Sequence, residues 1–338
     1  MSQGKKVTLN TGQQIPQLGY GTWQAGPGEV GQGVYEALKV GYRHLDFAKV
    51  YGNQREIADA LKKAFAEIQG LKREDVFITS KLWNSQHDPK VVEAALDDCL
   101  EELGLDYLDL YLVHFPISFK GSSKHVGQDL FPLTGGNQPV GDCDIDDSIS
   151  IVDTWKAMTK LPKSKTRAVG VSNHTIEHLE ALNKATSVVP AANQVERHPR
   201  IRQDDLVAYC KEKNIHITAY SAFGNNMLDQ PLLFTYPEIK AVAERLSKEK
   251  GDQISPTNVL IAWAQSGGHS VIPKSVSPKR IAENFKEIDL TADDIREIEQ
   301  VDKTQRRYNI PYVANKPRWD VNIFGEEAET PATHKVII

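Results

Sequence analysis

The sequence predicts a (β/α)8 TIM barrel with an N-terminal β-hairpin plug and long loops at the C-terminal face. Three observations carry that expectation. Eight short apolar runs recur along the 338 residues, each followed by a longer amphipathic segment, the pattern of a parallel sheet covered by helices. The runs are near-continuously apolar, as strands buried on both faces are. Eight such units in a chain of this length fit closure into a barrel better than an open sheet. Residues 1–338 therefore read as a single barrel domain.

The hairpin comes first. "VTLNTGQQIPQLG" alternates around "NTG" and can plug the barrel's N-terminal end. The strands follow as "LGYG" (18–21), "HLDFA" (44–48), "VFITSK" (76–81), "YLDLYLVH" (107–114), "AVGVS" (168–172), "AANQVE" (191–196), "IHITAY" (215–220) and "SVIP" (270–273). Helices are expected over 29–40, 54–67, 88–103, 149–160, 175–184, 203–213 and 238–249. Another follows "SPTN", whose start offers a cap and then a proline in the first turn. In "DPKVVEAALDDCLEELG", Asp88 can cap, Pro89 opens and Gly104 closes. Two segments break the rhythm. Residues 117–147 form a Gly/Pro/Asp-rich insertion after the fourth strand, far above ordinary loop length and so of functional interest. The tail, 303–338, has aromatics and prolines but no period, and is expected to fold over one end of the barrel.

Composition narrows the function. A net charge of −5 with no basic block gives no footprint for nucleic acid. Three widely spaced cysteines, Cys99, Cys143 and Cys210, fit a reducing compartment and neither a disulfide framework nor a thiolate metal site. The N-terminus has no apolar signal core, no run is long enough to span a membrane, and "KVII" matches no anchor. A cytoplasmic protein is expected.

A barrel of this kind places its chemistry at the C-terminal ends of its strands. There the second unit supplies Asp46, with Tyr51 close behind, the third ends at Lys81 and the fourth at His114. Each alone has a structural explanation: a loop tyrosine, a core histidine, an internal ion pair. A buried lysine and a buried aspartate are costly singly and tolerable together. A phenol titrates near 10, so a lysine cation beside Tyr51 is expected to lower that value, while Asp46 keeps the lysine charged and aimed. A histidine donating a hydrogen bond can orient a substrate oxygen. The set suits proton donation to a carbonyl as a hydride reaches its carbon. No metal is expected.

These four groups supply no hydride, so a cofactor is implied. "GxGxxG" between strand and helix is absent. The alternative anion site of a barrel lies near its last strands, where "VIPKSVSPKRIAEN" gathers Lys274, Ser275, Ser277 and Arg280. That charge suits a phosphate beyond those of NAD.

Together the segments resemble the aldo-keto reductase family over almost the whole chain. The pieces that carry the likeness are "LGYGTW", "HLDFAKVYGN", "ITSKLW", "LVHFP", "GVSN", "NQVERHP", "AYSAFG" and "IPKSVSPKRIAENF". The resemblance implies NADPH-dependent reduction of aldehydes or ketones. It makes Tyr51 the proton donor, with Asp46 and Lys81 behind it and His114 orienting the carbonyl. It further implies Ser172 and Asn173 at the nicotinamide carboxamide with Gln194 assisting, Tyr220 stacked on the nicotinamide, and Ser221 at the pyrophosphate. Lys274, Ser275 and Arg280 would take the 2′-phosphate, Glu283 and Asn284 the adenine.

Departures from the family pattern refine the expectation. Gln54 stands where glutamate is usual, and Ala222–Phe223 replace Pro–Leu. Phe115 stands where many relatives have tryptophan. Phe115, the insertion after it and Asn309 in "RRYNIP" are similar to fungal-type aldose, glyceraldehyde and xylose reductases. Trp23, Phe47, Trp83, Phe115 and Tyr308 are expected to wall the mouth, with Asn309 adding a hydroxyl contact. Such a wall favours a small uncharged aldehyde or aldose. Arg306 and Arg307, if either points inward, leave open a uronic acid, and polyol (glycerol) oxidation by the same groups also stays open. A metal-dependent barrel would need a ligand cluster the strand ends do not offer, and a non-enzymatic NADPH-binding barrel would not need the four-residue set. The protein is expected to act on a small-molecule carbonyl, as a monomer or weak homodimer, with no nucleic-acid or membrane partner.

Overall fold

The computed structural model describes residues 4–121, 126–134, 141–224, 230–301 and 305–338. Strands β1 (Lys6–Thr8) and β2 (Gln14–Pro16) pair antiparallel as the hairpin, with Gly12 at φ +87° in its turn. Eight parallel strands follow in one sheet, ordered as in the sequence. They are β3 (Tyr20–Gly21), β4 (His44–Asp46), β5 (Phe77–Leu82), β6 (Leu108–Val113), β7 (Thr166–Ser172), β8 (Ala192–Glu196), β9 (His216–Tyr220) and β10 (Ser270–Val271). A parallel bridge between Leu18 and Val271 closes the sheet on itself, with the Gly19 N–H on Val271 O (2.8 Å) and the Val271 N–H on Gln17 O (2.7 Å). The (β/α)8 barrel is thus the observed fold.

The covering helices are α1 (Glu29–Val40), α2 (Gln54–Glu67), α3 (Val92–Leu103), α4 (Ile151–Met158), α5 (Ile176–Ala185), α6 (Asp204–Glu212), α7 (Pro237–Lys250), α8 (Pro256–Gln265) and α9 (Pro278–Asn284). Side chains of Ser150, Thr175 and Ser255 cap α4, α5 and α8 by accepting a backbone N–H. One start differs from expectation. Asp88 does not cap α3; its Oδ1 accepts the Lys90 N–H (3.0 Å) in a preceding turn, and the helix begins at Val92. Gly104 at φ +61° ends it.

Strand register decides which residues meet. Successive side chains alternate between faces, and the Cα pairings are Asp46↔Thr79, Lys81↔Leu112, Leu112↔Gly170, Ser172↔Gln194 and Gln194↔Thr218. Asp46, Lys81, His114, Ser172, Gln194 and Tyr220 thereby share the inner face near its C-terminal mouth. Toward the other end that face is packed by Phe77, Leu110, Leu112, Ala168 and Ala192 against Leu9 and Ile15 of the hairpin, which closes the bottom. Gly170 is required in this stack, because a Cβ there would stand 2.6 Å from Ala192 O. Outward residues such as Leu45, Tyr111 and Val171 meet the helices in the main core.

A second core roofs the mouth. Trp83, Phe115, Ile117 and Phe119 pack with Cys143 and Ile145 of the insertion and with Trp319, Val321 and Ile323 of the tail. The tail contributes α11 (Pro311–Ala314), reached through α10 (Ala292–Ile298), and a short parallel pair, β11 (Val321–Asn322) with β12 (His334–Lys335). Arg318 pairs with Asp142 at 2.5 Å, and the Cys143 N–H bonds Arg318 O at 2.9 Å, so the tail and the insertion are stitched together. Parts of both expected segments (122–125, 135–140, 303 and 304) lie outside the described residues. Among the described residues no helix is long and apolar enough to cross a membrane.

Candidate active site

Asp46 ends β4, Lys81 lies one residue from the end of β5, and His114 follows β6 directly. Tyr51 ends a short helical turn, Lys49–Tyr51, after β4. Lys81 is completely buried, and its Nζ lies 2.5 Å from Asp46 Oδ1, 2.8 Å from Phe47 O and 3.4 Å from Tyr51 Oη. The second Asp46 oxygen accepts from Gln194 Nε2 at 2.7 Å. Both carboxylate oxygens are thus engaged, as a charge this deep requires. The Tyr51 ring meets the His114 ring edge-on, centroids 5.9 Å apart.

Electrostatics separate the four. Burial lowers the Lys81 pKa, against the pull of Asp46. Burial, then Lys81 and His87, push His114 well below the usual histidine range, so it is a neutral ring near pH 7. The expected lowering of Tyr51 does not occur. Burial, helped by the Asp46 charge, raises it well above 10, because the cost of desolvating a phenolate exceeds what Lys81, 3.4 Å away, returns. Tyr51 is therefore a protonated phenol, the form able to donate.

A cavity of about 1030 Å³ runs from these groups to the rim beside β10. Ser172, Asn173, Gln194, Tyr220, Ser221, Lys274, Ser275, Arg280, Glu283 and Asn284 all line it. Several of their polar atoms are already tied together: Ser172 Oγ donates to Gln194 O (2.7 Å), Asn173 Nδ2 to His114 O (2.9 Å) and Tyr220 Oη to Asn173 Oδ1 (2.6 Å). Asn173 and Ser221 sit at φ +63° and +53°, turning the chain sharply at the lip. At the far end Lys274 Nζ donates to Gln24 O (2.7 Å) and Arg280 Nε to Ser275 Oγ (3.3 Å). Burial lowers the Lys274 pKa, Glu29 opposes, and Arg280 lowers it further. Two cations close enough to repel suit an anion between them, as a nucleotide phosphate would be. Glu283 is half-exposed and 3.8 Å from Lys279, whereas Asn284 is buried. The donor set fits NADPH: cations and hydroxyls at one end, an aromatic ring and amides at the other.

The walls correct two expectations. Trp23, Trp83, Phe115 and Asn309 line the cavity. Phe47 does not. It follows Asp46 on the strand, so its side chain points to the opposite face and is fully buried in the core beneath the helices. Tyr308 is likewise buried, its ring against His198 and its hydroxyl bonded by Arg200 (2.8 Å). Arg306 and Arg307 do not enter either: Arg307 pairs with Glu326 (3.1 Å) and Arg306 reaches Gln230 (3.4 Å). Residues the sequence did not reveal complete the wall. Phe131 of the insertion and Trp319 of the tail stand 5.3 and 5.6 Å from the Trp83 ring, and Trp83 Nε1 donates to Leu130 O. The only available signal was the aromatic content of two aperiodic segments. Among the described residues no cluster of three His, Cys, Asp or Glu could hold a metal.

The model of the aldo/keto reductase family matches residues 17–303. The chain is 59% identical over 338 residues to D/L-glyceraldehyde reductase of Hypocrea jecorina, covering 100% of this chain and 99% of that protein. It is 39% identical to the NADPH-dependent D-xylose reductase of Meyerozyma guilliermondii, over 90% of this chain and 96% of that one. Among solved structures, the aldose reductase of Schistosoma japonicum superposes with a TM-score of 0.81 at 35% identity, covering 96% of this chain and 99% of the other.

Proposed function

The chain belongs to the aldo/keto reductase family, and from that premise we propose how its residues divide the work and which carbonyl they serve. The protein is an oxidoreductase that reduces aldehydes or aldoses with NADPH. The cofactor, when bound, supplies a hydride to the carbonyl carbon. Tyr51 gives its hydroxyl proton to the carbonyl oxygen. Lys81, held by Asp46, then stabilises the phenolate left behind. The neutral His114 orients the oxygen by donating a hydrogen bond. Lys274, Ser275 and Arg280 would hold the 2′-phosphate, Glu283 and Asn284 the adenine, and Ser221 the pyrophosphate. Ser172, Asn173 and Gln194 would hold the carboxamide, with Tyr220 beside the nicotinamide.

The observation that carries this assignment is the one cavity that Asp46, Tyr51 and His114 share with Lys274 and Arg280, with Lys81 directly behind Asp46 and Tyr51. Protonated Tyr51 is the form that the reductive step uses, whereas polyol oxidation would begin from the phenolate. Walls of Trp23, Trp83, Phe115, Phe131 and Trp319 leave Asn309 as a polar contact, which suits a small hydroxyaldehyde such as glyceraldehyde or a pentose. A second reading, uronic acid reduction, is favoured by Lys316, an exposed cation on the cavity rim. Its three buried free cysteines support a cytoplasmic setting, and we infer a single barrel domain acting as a monomer or weak homodimer. The test is the initial rate with glyceraldehyde, xylose and glucuronate, each with NADPH and with NADH. Fastest NADPH-dependent turnover of glyceraldehyde or xylose is expected. Preference for glucuronate would transfer the assignment to the second reading, and no NADPH-dependent turnover of any would overturn both.

A further inference from the structure

Glu196, the last residue of β8, is wholly buried, and the carbonyl chemistry makes no use of it. Register places it opposite Tyr220 and two residues beyond Gln194, so it belongs to the uppermost layer of the inner face. Burying a carboxylate is expensive without partners. Here two of the partners, Tyr308 and Asn309, come from the tail. Oε1 accepts the Tyr308 N–H at 2.9 Å and lies 2.9 Å from His198 Nε2, and Oε2 accepts the Asn309 N–H at 2.8 Å. His198, Arg307 and the Asn309 N–H together outweigh burial and keep the carboxyl below its usual range, so the acceptors are charged. Charge-assisted bonds of this type are about twice as strong as neutral ones.

What the clamp holds is informative. The Asn309 side chain lines the cavity, and its Nδ2 donates to Tyr220 Oη at 2.8 Å. Tyr220 Oη in turn donates to Asn173 Oδ1, and Asn173 Nδ2 donates to the carbonyl of His114. One chain of hydrogen bonds thus runs from the buried carboxylate through the tail to the main chain of the histidine beside Tyr51. We propose that Glu196 is a positioning residue, which fixes Asn309 against Tyr220 so that its amide is presented to a substrate hydroxyl. This deepens the proposed function and rests on its placement of Asn309 toward the substrate.

Glu196→Gln replaces one acceptor with an NH2 group facing a backbone N–H, which releases Tyr308 or Asn309. A tail anchor with no part in recognition would weaken every substrate alike, so the informative readout is the ratio of KM for glyceraldehyde to KM for propanal, which has the same carbon chain without the hydroxyls. Glu196→Gln is expected to raise that ratio about tenfold, roughly the loss of one hydrogen bond, and Asn309→Ala to raise it equally. In the double variant the rise should equal that of Asn309→Ala alone, as for residues acting in series. NADPH affinity, read by fluorescence titration, should fall to the same extent in both single variants, since each removes the Asn309 amide from Tyr220 Oη. Glu196→Asp, which keeps the charge but withdraws it by one methylene, should give an intermediate ratio and serves if the glutamine variant does not fold. A ratio moved by Asn309→Ala but not by either Glu196 variant would overturn the proposal and leave Asn309 as a substrate contact. Additive effects would overturn it as well. No change in the ratio for any variant would overturn both the positioning role and the placement of Asn309.

Discussion

The barrel interior and its roof meet at the same cavity but are built differently. In the interior, Asp46, Lys81, His114, Ser172 and Gln194 are placed by strand register, and both Asp46 oxygens and the Lys81 ammonium are engaged. The roof is aromatic and apolar. Trp83 and Phe115 from the strand ends meet Phe131 from the insertion and Trp319 from the tail, in edge-on contacts 4.9 to 5.6 Å between centroids. The proposed chemistry therefore rests on rigid elements, and the proposed recognition on loops folded over them. Substitutions in the two regions should separate turnover from substrate affinity.

The largest expected effect lies in the interior. Lys81→Met strands Asp46 as an unpaired buried charge, which should cost about 3–5 kcal/mol of stability and lower kcat roughly 10²–10⁴-fold. Chemical denaturation beside steady-state kinetics would measure both, and a kcat within a few-fold of wild type would remove Lys81 from the proton path. In the roof, Trp319→Ala should leave kcat much less affected while raising KM for glyceraldehyde about tenfold, equivalent to ~1.4 kcal/mol. A fall in kcat with KM unchanged would mean that the roof takes part in the chemistry. The smallest effect is one of pH. His114 is held neutral well below its ordinary range and Tyr51 protonated well above its own. A group that must be neutral is lost only below its lowered pKa, and one that must be protonated only above its raised pKa. The kcat for reduction should therefore be flat between about pH 6 and 9. An inflection near pH 6.5 would show a histidine titrating in the catalytic step.

The same contrast explains what the sequence made legible. Near-continuous apolar runs mark strands buried on both faces, and their count and order were enough for the barrel, while "NTG" marked the hairpin that plugs it. Strand-end polar residues stand out against such runs, so Asp46, Lys81 and His114 could be picked out, and the structure brings them beside Tyr51. Phe47 was misplaced because adjacency in sequence is not adjacency in space on a pleated strand. Trp319 and Phe131 lie in segments without a period, where nothing local tells which side chain turns inward. The direction of the Tyr51 pKa was missed for another reason. The charges near it were visible in the residue types, but the depth of burial that outweighs them is a property of the packed molecule. Glu196 was visible only as one letter of "NQVERHP"; its partners at 308 and 309 are more than a hundred residues away.

The central claim is that Tyr51 delivers the proton within a site whose cofactor end is independent of it. The most direct test is Tyr51→Phe, with NADPH binding followed by fluorescence titration and NADPH oxidation followed under single-turnover conditions with glyceraldehyde. Loss of nearly all oxidation, on the order of 10²-fold or more, with NADPH affinity close to wild type, is the predicted result. Oxidation at a rate near wild type would contradict it, and so would loss of NADPH binding in step with turnover.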